Sequence, residues 1–235
     1  MQALHPGSLA GVRTHSRYKD DPLGRLAGTI RWLTITTFAS HEALAAEASR
    51  VNRMHDRVKG QYESSSGESR SYRAADPDLL RWVHIAFMDS FLRSHQIFST
   101  QPIPGGADAY VSLWAKSVEP LGLTDVPMNE KELLTWLDRY RGELAVNDDT
   151  RDVIQWLRNP PLPIAARPVY ALLFQSALAS LPPEHRKLIG LKSLPLSVLR
   201  PITRTLLKSI RLAIGPENPL VDVAKTRLQR AGFTL

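Results

Sequence analysis

The chain has 235 residues, is 43% hydrophobic and sets 30 Lys and Arg against 23 Asp and Glu, a net charge of +7; that is enough apolar content for a substantial core. It contains no cysteine, which excludes disulfides, thiolate zinc sites, cysteine nucleophiles and a thiolate-ligated haem. The basic residues are spread along the chain rather than blocked, which favours solvated helix faces over a nucleic-acid footprint.

His5-Pro6 through His15-Ser16 brackets a small-residue segment, Gly7 to Val12, that reads as ordinary turns or as a site of close packing or cofactor approach. Asp21 is placed to cap a helix that starts on Pro22 and runs to about Ala39. Ser40 caps a second, running to about Lys59 and stopped by Gly60. The stretch Gln61 to Ser71 is too rich in Ser and Glu to pack and reads as a polar loop, its Glu63 to Glu68 part having the character of a mobile lid. Asp76 and Pro77 then repeat the capping pattern for a helix reaching about Phe98.

Pro102, Pro104, Gly105 and Gly106 make the next break, followed by helices over about 107–119 and from Asn129 to Arg141. Thr150 is placed as the cap of a short helix to Arg158, which Pro160, Pro161 and Pro163 close. Further helices are expected at about 167–180, 183–189 and 195–214, and a terminal one ends near Ala231 after the turn Gly215 to Pro219. Strand-length alternation of apolar and polar residues is almost absent, so the expected class is all-α, a single helical domain over 1–235.

Five of the seven histidines fall within the first 84 residues. In the second helix the apolar positions Leu44, Ala48, Val51 and Val58 leave a gap that His55 fills, so His55 belongs to the buried stripe. A neutral imidazole there is either a metal ligand, as in haem proteins, or a core histidine bonded to a carbonyl or carboxylate. His84 shares a face with Leu80, Phe87 and Phe91 and is a second ligand, a pocket donor or a satisfied core residue. His95, near the end of that helix, complements its macrodipole.

In the first helix Arg25 and Thr29 are four apart and point the same way, with Trp32 and Thr36 continuing that face and Leu26, Ile30 and Leu33 forming the apolar stripe beside it. A guanidinium and a hydroxyl on one face suit a propionate or bound oxygen; the plainer reading pairs Arg25 with a carboxylate such as Asp21.

Other templates fail: there is no HExxH, P-loop, GxGxxG after a strand or GxSxG elbow. A non-haem hydrolase built on His55, His84 and Asp56 or Asp89 is disfavoured because Asp56, adjacent to His55, points elsewhere on the helix. No secretory signal opens the chain and no apolar run reaches about 18 residues; Val169 to Leu181 is too short. The chain reads as soluble and cytoplasmic. The stripe Arg200, Arg204, Lys208 and Arg211 offers peripheral membrane contact as a further option.

The ordered string His5-Pro6, Ala10-Gly11-Val12, His15-Ser16, Asp21-Pro22, Gly24-Arg25, Thr29, Val51, Met54-His55, Val58, Gly60, Tyr72, Asp76-Pro77, Leu79-Leu80 and Trp82-Val83-His84 resembles the oxygenase family that joins bacterial latex-clearing protein, a rubber oxygenase, to a fungal ER-bound oxygenase. Leu181-Pro182-Pro183 to Gly190 and Gly215-Pro216 are similar to its later landmarks.

That resemblance implies an all-helical fold with a globin-like core around haem b and its iron, and cleavage of carbon-carbon double bonds with dioxygen. It implies His55 as the proximal ligand, Arg25 and Thr29 in the distal pocket, and His84 as a further family histidine at the cofactor site. An apolar unsaturated substrate, isoprenoid or lipid-like, follows from it.

Gly28 stands where the rubber-cleaving branch has a lysine, and no upstream acidic residue matches that branch's glutamate, so the resemblance does not carry its proton-abstracting route onto this chain. Met1 falls inside a motif that further helical sequence normally precedes. The rival reading is a non-catalytic lipid-binding or membrane-peripheral protein that has kept the fold.

Overall fold

The computed structural model describes residues 1–215 and 218–233. Among them are eleven α-helices: α1 (Pro6–His15), α2 (Pro22–Phe38), α3 (His41–His55), α4 (Pro77–Phe98), α5 (Gly106–Ala115), α6 (Glu130–Arg139), α7 (Asp148–Arg158), α8 (Arg167–Ser180), α9 (Pro183–Ile189), α10 (Leu196–Ile214) and α11 (Pro219–Arg230). Strands β1 (Lys59–Glu63) and β2 (Ser69–Arg73) pair between α3 and α4. The expected all-α class holds with this one addition; Pro216 of the turn before α11 lies outside the described residues.

The core is organised by α4, whose 22 residues span about 33 Å and which packs against α1, α5, α6, α8 and α10. Trp82, Ile85, Met88 and Leu92 are buried along it and meet Leu4, Val111, Leu133 and Tyr140. Two polar groups inside this cluster are paired: Trp82 Nε1 donates to the Gln2 carbonyl at 3.0 Å, and the Tyr140 hydroxyl donates to the Asp78 carbonyl at 2.8 Å. Arg81 donates to the Asp125 carbonyl at 2.7 Å and lies over the Trp136 ring, 4.6 Å from its centroid.

Two stretches expected as loops are ordered elements. Gly7 to Val12 belongs to α1, with Pro6 at its first position and the buried His5 capping it, Nδ1 accepting from the Ser8 N–H at 3.4 Å. An imidazole in that role is outside the usual Ser, Thr, Asp and Asn set, so it carries little sequence signal. Gln61 to Ser71 forms most of the hairpin, in the register Gly60↔Tyr72 and Tyr62↔Arg70.

Only Tyr62 and Tyr72 face inward, which is too sparse an alternation to read as strands. Their rings pack diagonally at 6.2 Å and close onto α1, where a Cβ on Gly7 would stand 3.0 Å from Tyr62. The small-residue segment thus serves close packing. At the hairpin tip Gly67 takes the left-handed turn (φ 81°), and Ser65 Oγ donates to the Gly142 carbonyl at 2.7 Å.

Helix α3 stops at His55, four residues before the expected end, because the chain turns through Asp56 to Val58 to enter β1. The cap of α7 is Asn147, which accepts both the N–H and the hydroxyl of Thr150 at 2.9 Å, so Thr150 is the capped residue and not the cap. Among the described residues no single helix is long and apolar enough to cross a membrane; α8 with the turn before it and α9 pass that test together but bend by 119°.

Candidate functional site

Helices α2 and α3 carry three of the four expected site residues. Asp21 caps α2 by accepting from the Gly24 N–H at 2.9 Å, and Ser40 caps α3 by accepting from the Ala43 N–H at 3.3 Å. With its carboxylate occupied as a cap, Asp21 is not an ion-pair partner for Arg25. Instead Arg25 Nη1 donates to Thr29 Oγ1 at 2.9 Å, and among the described residues no carboxylate pairs with it. The i, i+4 spacing makes the two side chains one hydrogen-bonded unit on the exposed side of α2.

The stripe beside that unit departs from expectation. Leu26 and Ile30 were expected to be core residues, yet they are 53% and 52% exposed, as is Leu23 at 72%. From Trp32 to Phe38 every residue of α2 except Thr37 is half-buried, and the helix buries no residue fully. A Cβ at Gly28 would meet nothing within 4 Å. The N-terminal half of α2 therefore presents uncovered apolar surface next to the Arg25–Thr29 pair.

One buried carboxylate holds α2 over α3. Glu47 is 3% exposed and accepts from Arg31 Nε of α2 and Arg50 Nε of its own helix, both at 3.0 Å, and from Arg50 Nη2 at 2.6 Å. Arg31 Nη2 lies 3.0 Å from the same carboxylate. The two guanidiniums pull the Glu47 carboxyl down to about 2. Sequence reasoning passed over this residue; an acid on the rim of the Leu44–Ala48–Val51 stripe, three residues before an arginine, was the available signal.

His55 ends the α3 stripe, with Ala48 and Val51 buried above it. Its Nδ1 is buried and makes no hydrogen bond, which removes the reading of a core histidine satisfied through that nitrogen. Desolvation lowers its pKa; the Arg25 charge lowers it further, while Asp56 opposes the shift. Arg25 is thus within electrostatic reach of His55. The ring is neutral at pH 7, the form in which an imidazole donates a lone pair to a metal.

His84 occupies a different neighbourhood, on α4 against Trp114 of α5, with ring centroids 6.4 Å apart. It is 7% exposed, its Nε2 has no partner, and desolvation pushes its pKa down to about 4. The Trp114 Nε1 and Tyr110 hydroxyl beside it are also buried without partners. Among the described residues no hydrogen bond or ring contact joins His84 to His55, Arg25 or Thr29. His95 donates to the Gln101 carbonyl at 2.8 Å, fixing the loop after α4.

The donor set bears on the implied cofactor. No group of three or more His, Asp or Glu is arranged to hold a metal among the described residues, so the non-haem hydrolase built on His55, His84 and an aspartate has no ligand cluster. A lone imidazole holds iron firmly only when the other ligands arrive with the metal, as porphyrin nitrogens do. The unbonded imidazole of His55, within electrostatic reach of a guanidinium that no carboxylate pairs with among the described residues, fits haem in donor type; His84 and His185 also each carry an unbonded ring nitrogen. A cleft of about 450 Å³ lies elsewhere, among Arg93, Lys131, Arg141 and His185.

Among known families, the model for the ER-bound oxygenase mpaB/B'/rubber oxygenase catalytic domain fits residues 1–212. Neither a curated protein nor a solved structure matches the chain.

Proposed function

We propose, from the premise that the chain belongs to the ER-bound oxygenase and rubber oxygenase catalytic-domain family, that it is a haem b-dependent oxygenase in which His55 holds the iron. In this reading Arg25 and Thr29 serve the dioxygen side, and the substrate is an apolar unsaturated chain, isoprenoid or lipid-like. The observation that carries the reading is the buried, unbonded Nδ1 of His55 within reach of the Arg25 charge.

When bound, haem supplies the activation of dioxygen and the oxidative attack on the double bond. The chain's own residues contribute binding and electrostatics. His55, kept neutral by burial and by the Arg25 charge, offers its lone pair at physiological pH. Arg25 has five N–H donors and spends one on Thr29, which leaves the rest for a propionate or an oxygen ligand. Thr29 can turn its hydroxyl proton either to the Arg25 carbonyl, 3.4 Å away, or to a ligand. Leu26 and Ile30 would cover apolar macrocycle or substrate surface, and the Glu47 clamp holds these groups in place over α3.

Gly28 supplies no basic side chain, so abstraction of an allylic proton by a lysine at that position is not part of this proposal. Family membership supports oxygenase chemistry in general, and the donor set supports haem over a bare metal. The test is dioxygen uptake by the haem-loaded chain with an unsaturated isoprenoid, with carbonyl products identified by mass. Arg25→Ala should lower turnover at least a hundredfold, the scale for losing a preorganised donor at a developing charge. Turnover within threefold of the parent would remove Arg25 from the chemistry.

A further inference from the structure

The apolar and basic residues of α10 are not distributed as on an ordinary surface helix. Positions 199, 203, 207, 210 and 214 form one face, and its exposure climbs along the chain: Leu199 is at 0%, Thr203 at 2%, Leu207 at 41%, Ile210 at 39% and Ile214 at 77%. The face that packs on α8 and α4 at its start therefore runs off the body at its end. On the neighbouring flank Leu212, 73% exposed, sits with Lys208 and Arg211 at i, i+3, i+4 spacing. Across the turn, α11 opens with Leu220 and Val223, also exposed.

Charge is concentrated in the same place. From residue 200 to 233 there are seven Lys and Arg against two acids, five of the chain's net excess of seven. None of these seven cations forms an ion pair among the described residues, whereas Arg13, Arg31, Arg50, Arg81 and Arg93 all do. The four-residue basic stripe read from sequence is not the surface itself. Arg204 turns inward and donates to the carbonyls of Ile97 and Ser99, both at 3.1 Å, and Arg227 donates to the Phe38 carbonyl at 2.7 Å. These two anchor the helix pair to the body and leave Lys208 and Arg211 beside the aliphatic tip.

We infer that the α10–α11 tip docks on an anionic lipid surface, with Leu212, Ile214 and Val223 entering the acyl boundary and Lys208 and Arg211 meeting the headgroups. Unpaired cations beside exposed aliphatic side chains match the two demands of such a surface, apolar burial and electrostatic attraction. Aliphatic residues dominate the tip, with no row of aromatic rings on which bases could stack, which favours lipid over nucleic acid. The inference does not rest on the haem reading: α11 packs on α2, but none of the residues assigned to the lipid contact is His55, Arg25 or Thr29.

The full chain should sediment with vesicles of phosphatidylcholine mixed with phosphatidylglycerol and not with phosphatidylcholine alone, and added salt should release it. Lys208→Gln with Arg211→Gln should weaken binding roughly twenty-five-fold, about fivefold per cation. The chain has no cysteine, so Leu212→Cys accepts a single environment-sensitive fluorophore whose emission should shift to the blue on anionic vesicles. Because these side chains are exposed, the variants should keep the parent's melting temperature. Equal binding to both vesicle types, an unchanged affinity in the double variant, or an unshifted fluorophore would overturn the inference. So would salt-sensitive binding to RNA without vesicle binding, or self-association abolished by Leu212→Ser with Ile214→Ser.

Discussion

Replacing Glu47 by glutamine keeps its shape and removes the charge that fastens α2 to α3. In the parent, two guanidiniums supply Nε and Nη2 contacts of 2.6 to 3.0 Å to a carboxylate that is almost wholly buried. The carboxyl is lowered from 4.5 to about 2, and at 1.36 kcal/mol per unit this corresponds to about 3 kcal/mol. The Arg31 and Arg50 side chains are 60% and 45% exposed, so solvent screening brings the expectation nearer to about 2 kcal/mol.

The sign follows from a depressed carboxylate: the stabilisation is fully present above about 4.5 and is lost as the pH falls toward about 2. Urea denaturation followed by tryptophan fluorescence should show Glu47→Gln less stable by about 2 kcal/mol at pH 7, the gap to the parent closing below pH 4.5. Amide exchange should quicken in α2 and stay unchanged in α4. A loss under about 0.5 kcal/mol, of the order of an ordinary exposed ion pair, or a gap that persists unchanged at the lowest pH, would refute the clamp.

Two further outcomes concern neighbouring positions. His84 has its pKa lowered to about 4 by burial, so the unfolded chain binds a proton there first, and stability should fall by up to about 3 kcal/mol as pH drops from 6.5 toward 4. His84→Gln should flatten that part of the stability–pH curve, and equal slopes in the two proteins would show that His84 titrates normally. At Gly28, inside α2 with open space where an alanine methyl would sit, Gly28→Ala should raise stability by about 0.5 to 1 kcal/mol. A lower melting temperature would mean that something closes on that backbone.

The helical plan was legible because its punctuation is local. Asp21-Pro22, Ser40 and Asp76-Pro77 mark starts that the structure repeats to within a residue, and the Pro and Gly runs after Phe98 and Arg158 mark ends. What stayed hidden depends on partners distant in sequence. His5 works as a cap only because Trp82, Tyr140 and Tyr62 surround its ring. The hairpin forms because two tyrosines find glycines on α1. Glu47 is buried because Arg31, sixteen residues earlier, reaches it.

Among the candidate residues, helical spacing placed Arg25 against Thr29 and turned His55 inward, since both are properties of a single helix. It misjudged Leu26 and Ile30, because an apolar stripe states what a helix can bury and not whether a neighbour covers it. It also could not place His84, whose surroundings are set by the packing of α5 on α4.

The central claim is that the His55 ring holds haem iron, and the absorption spectrum of the chain expressed with haem supply tests it most directly. The parent should show a Soret band and yield haem b in the pyridine haemochrome assay, while His55→Ala, folded by circular dichroism, should lose the band. A parent without bound pigment, or a His55→Ala variant with an unchanged Soret band, would contradict it.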